Sequence, residues 1–413
     1  MKHKVVVTGM GAITPIGNNI ENFWQNIKKG ECGIGFIKAF DTSEFKIKIA
    51  AEVKDFNPRE ILDFKTVKRM DRFTQMGMAA AVEAVNDAGL DDAQDNDKYD
   101  WGIILGTGIG GFLSIEKEKK KIIEKGPGRV SPFFIPMAIC NIAAANIAIK
   151  FGIKGICDTI ITACASGTSS IGSAFRILQQ GQADLILAGG SEAAITPLAL
   201  AGFTSMGALA SNNDPQNASI PFDARRNGFV MGEGAGIIVL ETLEHARKRN
   251  AKIYAEIIGY GATCDAYHIT APAPGGEGGA RAIQMAIESA GIKKEKISYI
   301  NAHGTSTPHN DRCETEAIKS VFGKKAYDIP VSSTKSMTGH MLGASGTIEA
   351  ITCIKALMEG FVPPTIGLTE PAPECDLDYV PLKGRNQDLN YALSNSFGFG
   401  GQNACLLVRK WKE

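Results

Sequence analysis

Apolar runs without strict alternation, such as Gly102-Ile103-Ile104-Leu105 and Leu185-Ile186-Leu187-Ala188, predict strands covered on both faces by helices. Elsewhere apolar residues recur at helical spacing. Ile171, Ala174, Phe175 and Leu178 mark a helix that Gly181 closes. Just before it, Ile160-Ile161-Thr162-Ala163-Cys164-Ala165-Ser166-Gly167-Thr168 is an apolar strand running into a small-residue turn, so Cys164 falls at or beside the helix N-terminus. The pattern is that of an α/β chain. The longest apolar run, residues 135–149, is broken by Asn141 and Asn146 and suits a buried or subunit-interface helix better than a membrane span.

The pattern repeats. Ala165-Ser166-Gly167-Thr168 through Gly181 matches Ala344-Ser345-Gly346-Thr347 through Gly360, with the apolar positions in register. Weaker matches keep the same order: Val6 to Ala12 with Ile257 to Ala262, Asp87-Ala88-Gly89-Leu90 with Ser289-Ala290-Gly291-Ile292, Leu105-Gly106-Thr107 with His303-Gly304-Thr305, and Ala235 to Val239 with Ala404 to Val408. An ordered series of five predicts two similar α/β halves, residues 1–250 and 251–413.

Composition removes several classes. Lys plus Arg equals Asp plus Glu at 44 each, so no overall charge draws the protein to nucleic acid or an anionic membrane, and a charged partner must meet a local patch. The cysteines number nine without C-x-x-C pairs or Cys/His clusters, which argues against a disulfide framework and a structural zinc site and fits a reduced cytoplasm. The apolar run near the N-terminus is three valines long, too short for an export signal.

Candidate chemistry clusters on the duplicated loops. A helix N-terminus favours thiolate over thiol, which makes Cys164 a candidate nucleophile. His303 lies in Asn301-Ala302-His303-Gly304-Thr305-Ser306-Thr307, at a strand end. His340 follows Lys335-Ser336-Met337-Thr338-Gly339, just before the duplicated helix, so the pseudo-symmetry brings both histidines towards the cysteine. Lys335 is placed to supply positive charge to a thiolate or a charged network. Gly106-Thr107-Gly108-Ile109-Gly110-Gly111 lacks the spacing and acidic partner of a dinucleotide loop. Asn395-Ser396-Phe397-Gly398-Phe399-Gly400-Gly401 offers exposed backbone N–H groups for an oxyanion, with Phe399 as a movable lid.

These segments, together with Pro221-Phe222-Asp223 and Gly228-Phe229-Val230-Met231-Gly232-Glu233-Gly234-Ala235, resemble the β-ketoacyl-acyl carrier protein synthases over the whole chain, and most of all the elongating type II enzymes. The priming type would show Asn in place of His340, thiolases a second cysteine in the Phe399 loop, and a non-catalytic chain-length partner no cysteine at all. The resemblance implies a thiolase-like fold, two duplicated halves in a layered αβαβα arrangement, and an acyltransferase.

It also implies roles. Cys164 takes the acyl chain, His303 and His340 hold the malonyl carbonyl during decarboxylation, and the N–H groups of Cys164 and Phe399 hold the oxyanion. Lys335, Glu349 and Glu314 support the site. Thr305 and Thr307 meet the phosphopantetheine arm, which arrives on the carrier protein, so no resident cofactor is expected. Ile109 and Phe203, with Phe134 of a second subunit, line an acyl tunnel in a homodimer, and Gly400 lets the Phe399 loop move. Asn301, Ser394 and Asn395 match positions that hold a structural cation in relatives, although no catalytic metal is expected. Lys65, Lys68, Arg69 and Arg72 form a basic patch for the acidic carrier protein. The expected activity is the decarboxylative Claisen condensation of malonyl carrier protein with the Cys-bound acyl chain in fatty-acid elongation. A thiolase-like acyl-CoA transferase and a non-enzymatic partner subunit are the competing readings.

Overall fold

The computed structural model describes residues 2–90 and 98–412. Among them, ten strands form one sheet: β1 (Val5–Ile13), β2 (Trp101–Gly106), β3 (Cys157–Ile160), β4 (Leu185–Glu192), β5 (Gly234–Thr242), β6 (Ala255–Cys264), β7 (Tyr299–Asn301), β8 (Val331–Ser332), β9 (Tyr391–Gly398) and β10 (Gln402–Lys410). Their order, β8-β7-β9-β10-β6-β1-β5-β4-β2-β3, reads the same outward from its centre in both directions, each strand of one arm answering the strand five labels later in the other. Within the sheet, the arms pair through Val5–Val7 of β1, antiparallel to Ala255–Ile257 of β6.

The helices that matter here are α1 (Arg72–Asp87), α2 (Phe112–Lys125), α3 (Ile142–Phe151), α4 (Ser166–Gln179), α5 (Pro197–Ser205), α6 (Glu277–Ala290), α7 (Pro308–Phe322) and α8 (Ser345–Glu359). Alternate strand residues go to different layers, which is why the strands read as unbroken apolar runs. Ile186, Ile238 and Leu240 of one arm and Leu406 and Val408 of the other enclose a shared core with Phe175 and Leu178 of α4 and Ile354 and Leu357 of α8. The opposite faces, Leu187, Ile237 and Val239 in one arm and Leu393, Cys405 and Leu407 in the other, are covered by α1 and α3 and by α6 and α7. The result is the expected layered αβαβα arrangement of a thiolase-like fold.

Two of the sequence matches slip by one residue. Ala12 lies opposite Gly236 and Ala262 opposite Ala404, so the mate of Ala404 is Gly236 rather than Ala235. Likewise Ile104 pairs with Ala188 and Asn301 with Ser394, so Ala302, not His303, answers Leu105. A one-residue shift exchanges the faces of a strand, and the faces settle it, because Ile238 and Leu406 both enter the middle layer. The helix matches need no correction. Gly9 and Gly11 abut the carbonyls of Ala84 and Ala80 as Gly259 and Gly261 abut those of Ala286 and Ala282, and a Cβ at any of the four would overlap backbone.

The run 135–149 is two helices rather than one, Phe134–Ala138 and α3, and Ile135, Ile139 and Ile149 face outward. Among the described residues, no helix is long and apolar enough to cross a membrane.

Candidate active site

Cys164 sits in the turn Ala163–Ala165 between β3 and α4. Its neighbour Ala163 has φ 48°, a left-handed conformation unusual for a residue with a side chain, and the corresponding Leu342 before α8 has φ 46°. The duplication thus extends to the strained elbow itself, and in one half that elbow presents a thiol. Cys164 opens into a cavity of about 490 Å³ that also receives His303, His340, Thr305, Thr307 and Phe399.

The two imidazoles meet edge to face, 5.4 Å between ring centroids and 84° between planes. His303 comes from the loop after β7, where Glu314 of α7 accepts from the backbone N–H groups of His303 and Gly304, each at 2.8 Å, and from Asn395 Nδ2 at 3.1 Å. His340 is held by its backbone between Val230 and Gly232 and by Ser345 Oγ, 3.1 Å from Nδ1. A Ser345 hydroxyl donating to Nδ1 would leave the proton on Nε2, which has no hydrogen-bond partner among the described residues. His303 Nδ1 is likewise buried and unpartnered. Burial, and then the Lys335 charge, hold both rings far below the usual imidazole range, so both are neutral at physiological pH.

Lys335 is buried behind them. Its Nζ donates to the His303 carbonyl at 2.7 Å and pairs with Glu349 of α8. Burial pushes the Glu349 and Glu314 carboxyls up to about 7, with Lys335 pulling Glu349 the other way.

The thiol departs from the sequence expectation. Burial pushes Cys164 up to about 11, against the Lys335 charge and the Phe399 N–H, which both favour thiolate. A helix N-terminus is legible locally, whereas desolvation comes from strands and loops far along the chain, and here desolvation wins. The N–H groups of Phe399 and of Cys164 itself both act on the sulfur and favour its anion.

Ile109 and Phe203 line the cavity as expected, Phe203 lying edge-on to Phe229 at 5.4 Å. Thr305 and Thr307 share a hydrogen bond of 2.9 Å at its mouth. Phe134 is half-buried and does not reach the cavity of its own chain. Gly400 stands outside the lining, but its φ of 80°, followed by 71° at Gly401, makes the Phe399 loop glycine-dependent. Asn301 Oδ1 and Ser394 Oγ are buried without hydrogen-bond partners among the described residues, as oxygens kept for a cation would be, whereas Asn395 Oδ1 accepts from Cys405 Sγ at 3.2 Å. Among the described residues, no group of three or more His, Cys, Asp and Glu is placed to hold a metal ion.

Lys65, Lys68 and Arg69 are exposed, but Arg72 is not part of their patch. Its guanidinium forks onto Glu233 at 2.7 and 2.8 Å, an internal bond that takes its charge out of play. Arg59 takes its place, sharing the Phe64 ring with Lys68. Sequence reasoning also missed Phe229, whose ring backs His340 at 5.3 Å, and Glu192, a buried acid at the end of β4. The one signal for Glu192 was an acid closing a strand that is otherwise apolar and glycine but for Ser191.

Comparison with known proteins places this geometry. Residues 2–246 match the family "Beta-ketoacyl synthase, N-terminal domain" and residues 254–369 match "Beta-ketoacyl synthase, C-terminal domain". The chain is 54% identical over 412 residues to 3-oxoacyl-(acyl-carrier-protein) synthase 2 of Synechocystis sp., covering 100% of this chain and 99% of the relative. It is 52% identical over 409 residues to the protein of the same name from Staphylococcus aureus, covering 99% of each. Among solved structures it is similar to the ishigamide ketosynthase/chain length factor, with TM-score 0.94 and 37% identity over 100% of both chains. It is also similar to a type II polyketide synthase acyl-carrier protein in complex with its ketosynthase bound to the hexaketide, with TM-score 0.93 and 35% identity over 100% of both chains. The chain belongs to the β-ketoacyl synthase family, the condensing enzymes.

Proposed function

We propose that this chain is an elongating β-ketoacyl-acyl carrier protein synthase, with Cys164 as nucleophile and His303 and His340 as the hydrogen-bond donors of decarboxylation. The observation that carries the reading is one cavity holding a thiol, beside the backbone N–H groups of Cys164 and Phe399, and two neutral imidazoles, each with one buried ring nitrogen, His303 Nδ1 and His340 Nε2, without another partner among the described residues. Cys164 sulfur attacks the acyl thioester, the N–H pair holds the tetrahedral oxyanion, and the carrier thiol leaves with the proton. Malonyl carrier protein then enters. Its C–C bond to the carboxylate breaks, carbon dioxide leaves, and the electron pair remains as an enolate held by the imidazole N–H groups. The enolate carbon attacks the acyl-Cys164 carbonyl, and the sulfur is released to regain a proton. Imidazolium rings would give up their protons to the enolate oxygen, so the depression of both histidines serves the donor role.

Thr305 and Thr307 at the mouth suit the polar phosphopantetheine arm, the group carried by the substrate, and Lys65, Lys68 and Arg69, with Arg59, suit the acidic carrier protein. The exposed edge of β3, with Ile161 just beyond it and Ile135, Ile139 and Ile149 nearby in sequence to α3, suits a second copy of the chain, which would bring Phe134 to the neighbour's tunnel. A cytoplasmic setting fits the free cysteines.

Mass spectrometry after incubation with acyl and then malonyl carrier protein tests the reading. An acyl group on Cys164 that malonyl carrier protein discharges as a chain two carbons longer supports it. Discharge without decarboxylation indicates a thiolase-like transferase, and no acylation indicates a non-enzymatic subunit; either outcome refutes condensation.

A further inference from the structure

In the repeat, Gly343 is the mate of Cys164, because Ser345 answers Ser166 at the start of the paired helices. Glu192 is the mate of Gly398, because Leu185 faces Glu241 as Tyr391 faces Arg409. Beside Cys164, β9, which comes from the other half, therefore ends in glycine. A Cβ there would lie 2.7 Å from Thr162 O and 3.2 Å from Cys164 N, so glycine leaves the space before the Cys164 N–H open to an incoming oxygen.

The same place in the other half is filled by a carboxylate. Glu192 Oε2 accepts from Gly343 N at 3.0 Å and Gly108 N at 2.6 Å, and Oε1 accepts from Ile109 N at 3.1 Å and Thr107 Oγ1 at 3.0 Å. Glu192 is fully buried; burial is the larger influence and raises its carboxyl, while the four donors on its two oxygens pull towards the anion. Gly108 and Gly343 have no room for side chains, since a Cβ on either would stand 2.8 Å from Oε2. Two of the tied residues touch the acyl cavity directly: Gly108 and Ile109 form one wall, and Gly343 follows Leu342, which forms another.

We infer that Glu192 is a positioning residue for acyl-chain selection: its carboxylate stands where an oxyanion would stand in the non-catalytic half and locks the Gly108-Ile109 wall to the Leu342 turn. Without it, three backbone N–H groups lose their acceptor and the two walls separate. The inference rests on the condensation reading only in supposing that the cavity holds an acyl chain.

Glu192→Gln keeps the shape and turns an NH₂ group towards N–H donors. Steady-state kinetics over a series of acyl carrier thioesters should show kcat/KM falling about tenfold more for the longest chain than for the shortest, carried by KM, the low end of what about one methylene of misfit costs in an apolar pocket. Glu192→Asp, which keeps the charge, should recover part of the loss. A second readout needs no turnover: alkylation of Cys164 by a series of N-alkylmaleimides should change its dependence on alkyl length. A uniform loss at all lengths, or an unchanged maleimide profile, overturns the inference. If Glu192→Gln does not fold, Thr107→Val removes one of the four donors, and an absence of length dependence there overturns it equally. A parent protein that elongates no thioester refutes the condensation reading instead, and the maleimide series still decides the role of Glu192.

Discussion

Replacing Lys335 by Met removes the buried cation on which the site's charge balance depends. The His303 carbonyl loses its 2.7 Å donor, and Glu349, 2% exposed, loses the one ion pair it makes among the described residues. Removing one member of a buried pair typically costs about 3–5 kcal/mol, because the other charge is left without compensation. Here the cost depends on pH. In the parent, burial already lifts the Glu349 carboxyl from its usual 4.5 to about 7, and Lys335 opposes that rise, so the variant carboxyl titrates higher still. A carboxyl whose folded pKa exceeds its unfolded value binds more protons in the native state, and the native state loses stability as pH climbs from about 4.5 through the folded value. Urea unfolding should therefore show a small gap between parent and Lys335→Met at pH 5 that widens to pH 8. Adding Glu349→Leu should close much of it, since both charges then leave together. A gap that stays flat with pH, or a double variant as unstable as the sum of the singles, would refute the account of a charge-coupled pair. Function gives an independent sign. Lys335 depresses both imidazoles, so its removal raises them, and the acid limb of the decarboxylation profile should move to higher pH.

Three further perturbations separate the other parts. Cys164→Gln should abolish condensation yet keep malonyl decarboxylation, whereas His340→Ala should impair decarboxylation strongly; carbon dioxide release from malonyl carrier protein reads both, and parent-like release from both would remove the two-histidine role. With the thiol pushed up to about 11, iodoacetamide should modify exposed Cys157 and Cys264 before Cys164 in the free protein, and the Cys164 rate should rise about tenfold per pH unit from pH 7 to 10; a plateau already reached near pH 7 would show that Lys335 and the local N–H groups outweigh burial. Phe399→Ala should retain loading of Cys164 while losing elongation rate, and Gly400→Val, which forces a branched side chain to φ 80°, should block loading itself; structures with free and acylated Cys164 that leave the loop in place would remove the gate.

What could be read from the chain, and what could not, divides along the range of the interaction. The strand-turn-helix around Cys164, the helix that repeats it and the loops bearing His303 and His340 are local patterns of apolar spacing and glycine placement, and all are found in the fold. Register was less legible. Ala235 to Val239 and Ala404 to Val408 are similar apolar runs that align as well when slipped by one, and only the packing of Ile238 and Leu406 into one middle layer decides between the alignments. Charges were least legible of all, because a charge is defined by what faces it. Arg72 belongs by sequence to a basic patch and by structure to Glu233, 161 residues away. The thiol at a helix N-terminus is countered by walls that arrive from the other half of the chain. Glu192 reads as the last residue of a strand until Gly343, 151 residues further on, is brought against it. The duplication explains why these distant partners are the decisive ones. Two copies of one elbow face each other across the middle layer, and each completes its loops with groups from the other copy. The copies diverge at that crossing, where one strand ends in Gly398 beside an open N–H and its mate ends in a carboxylate that closes the equivalent space.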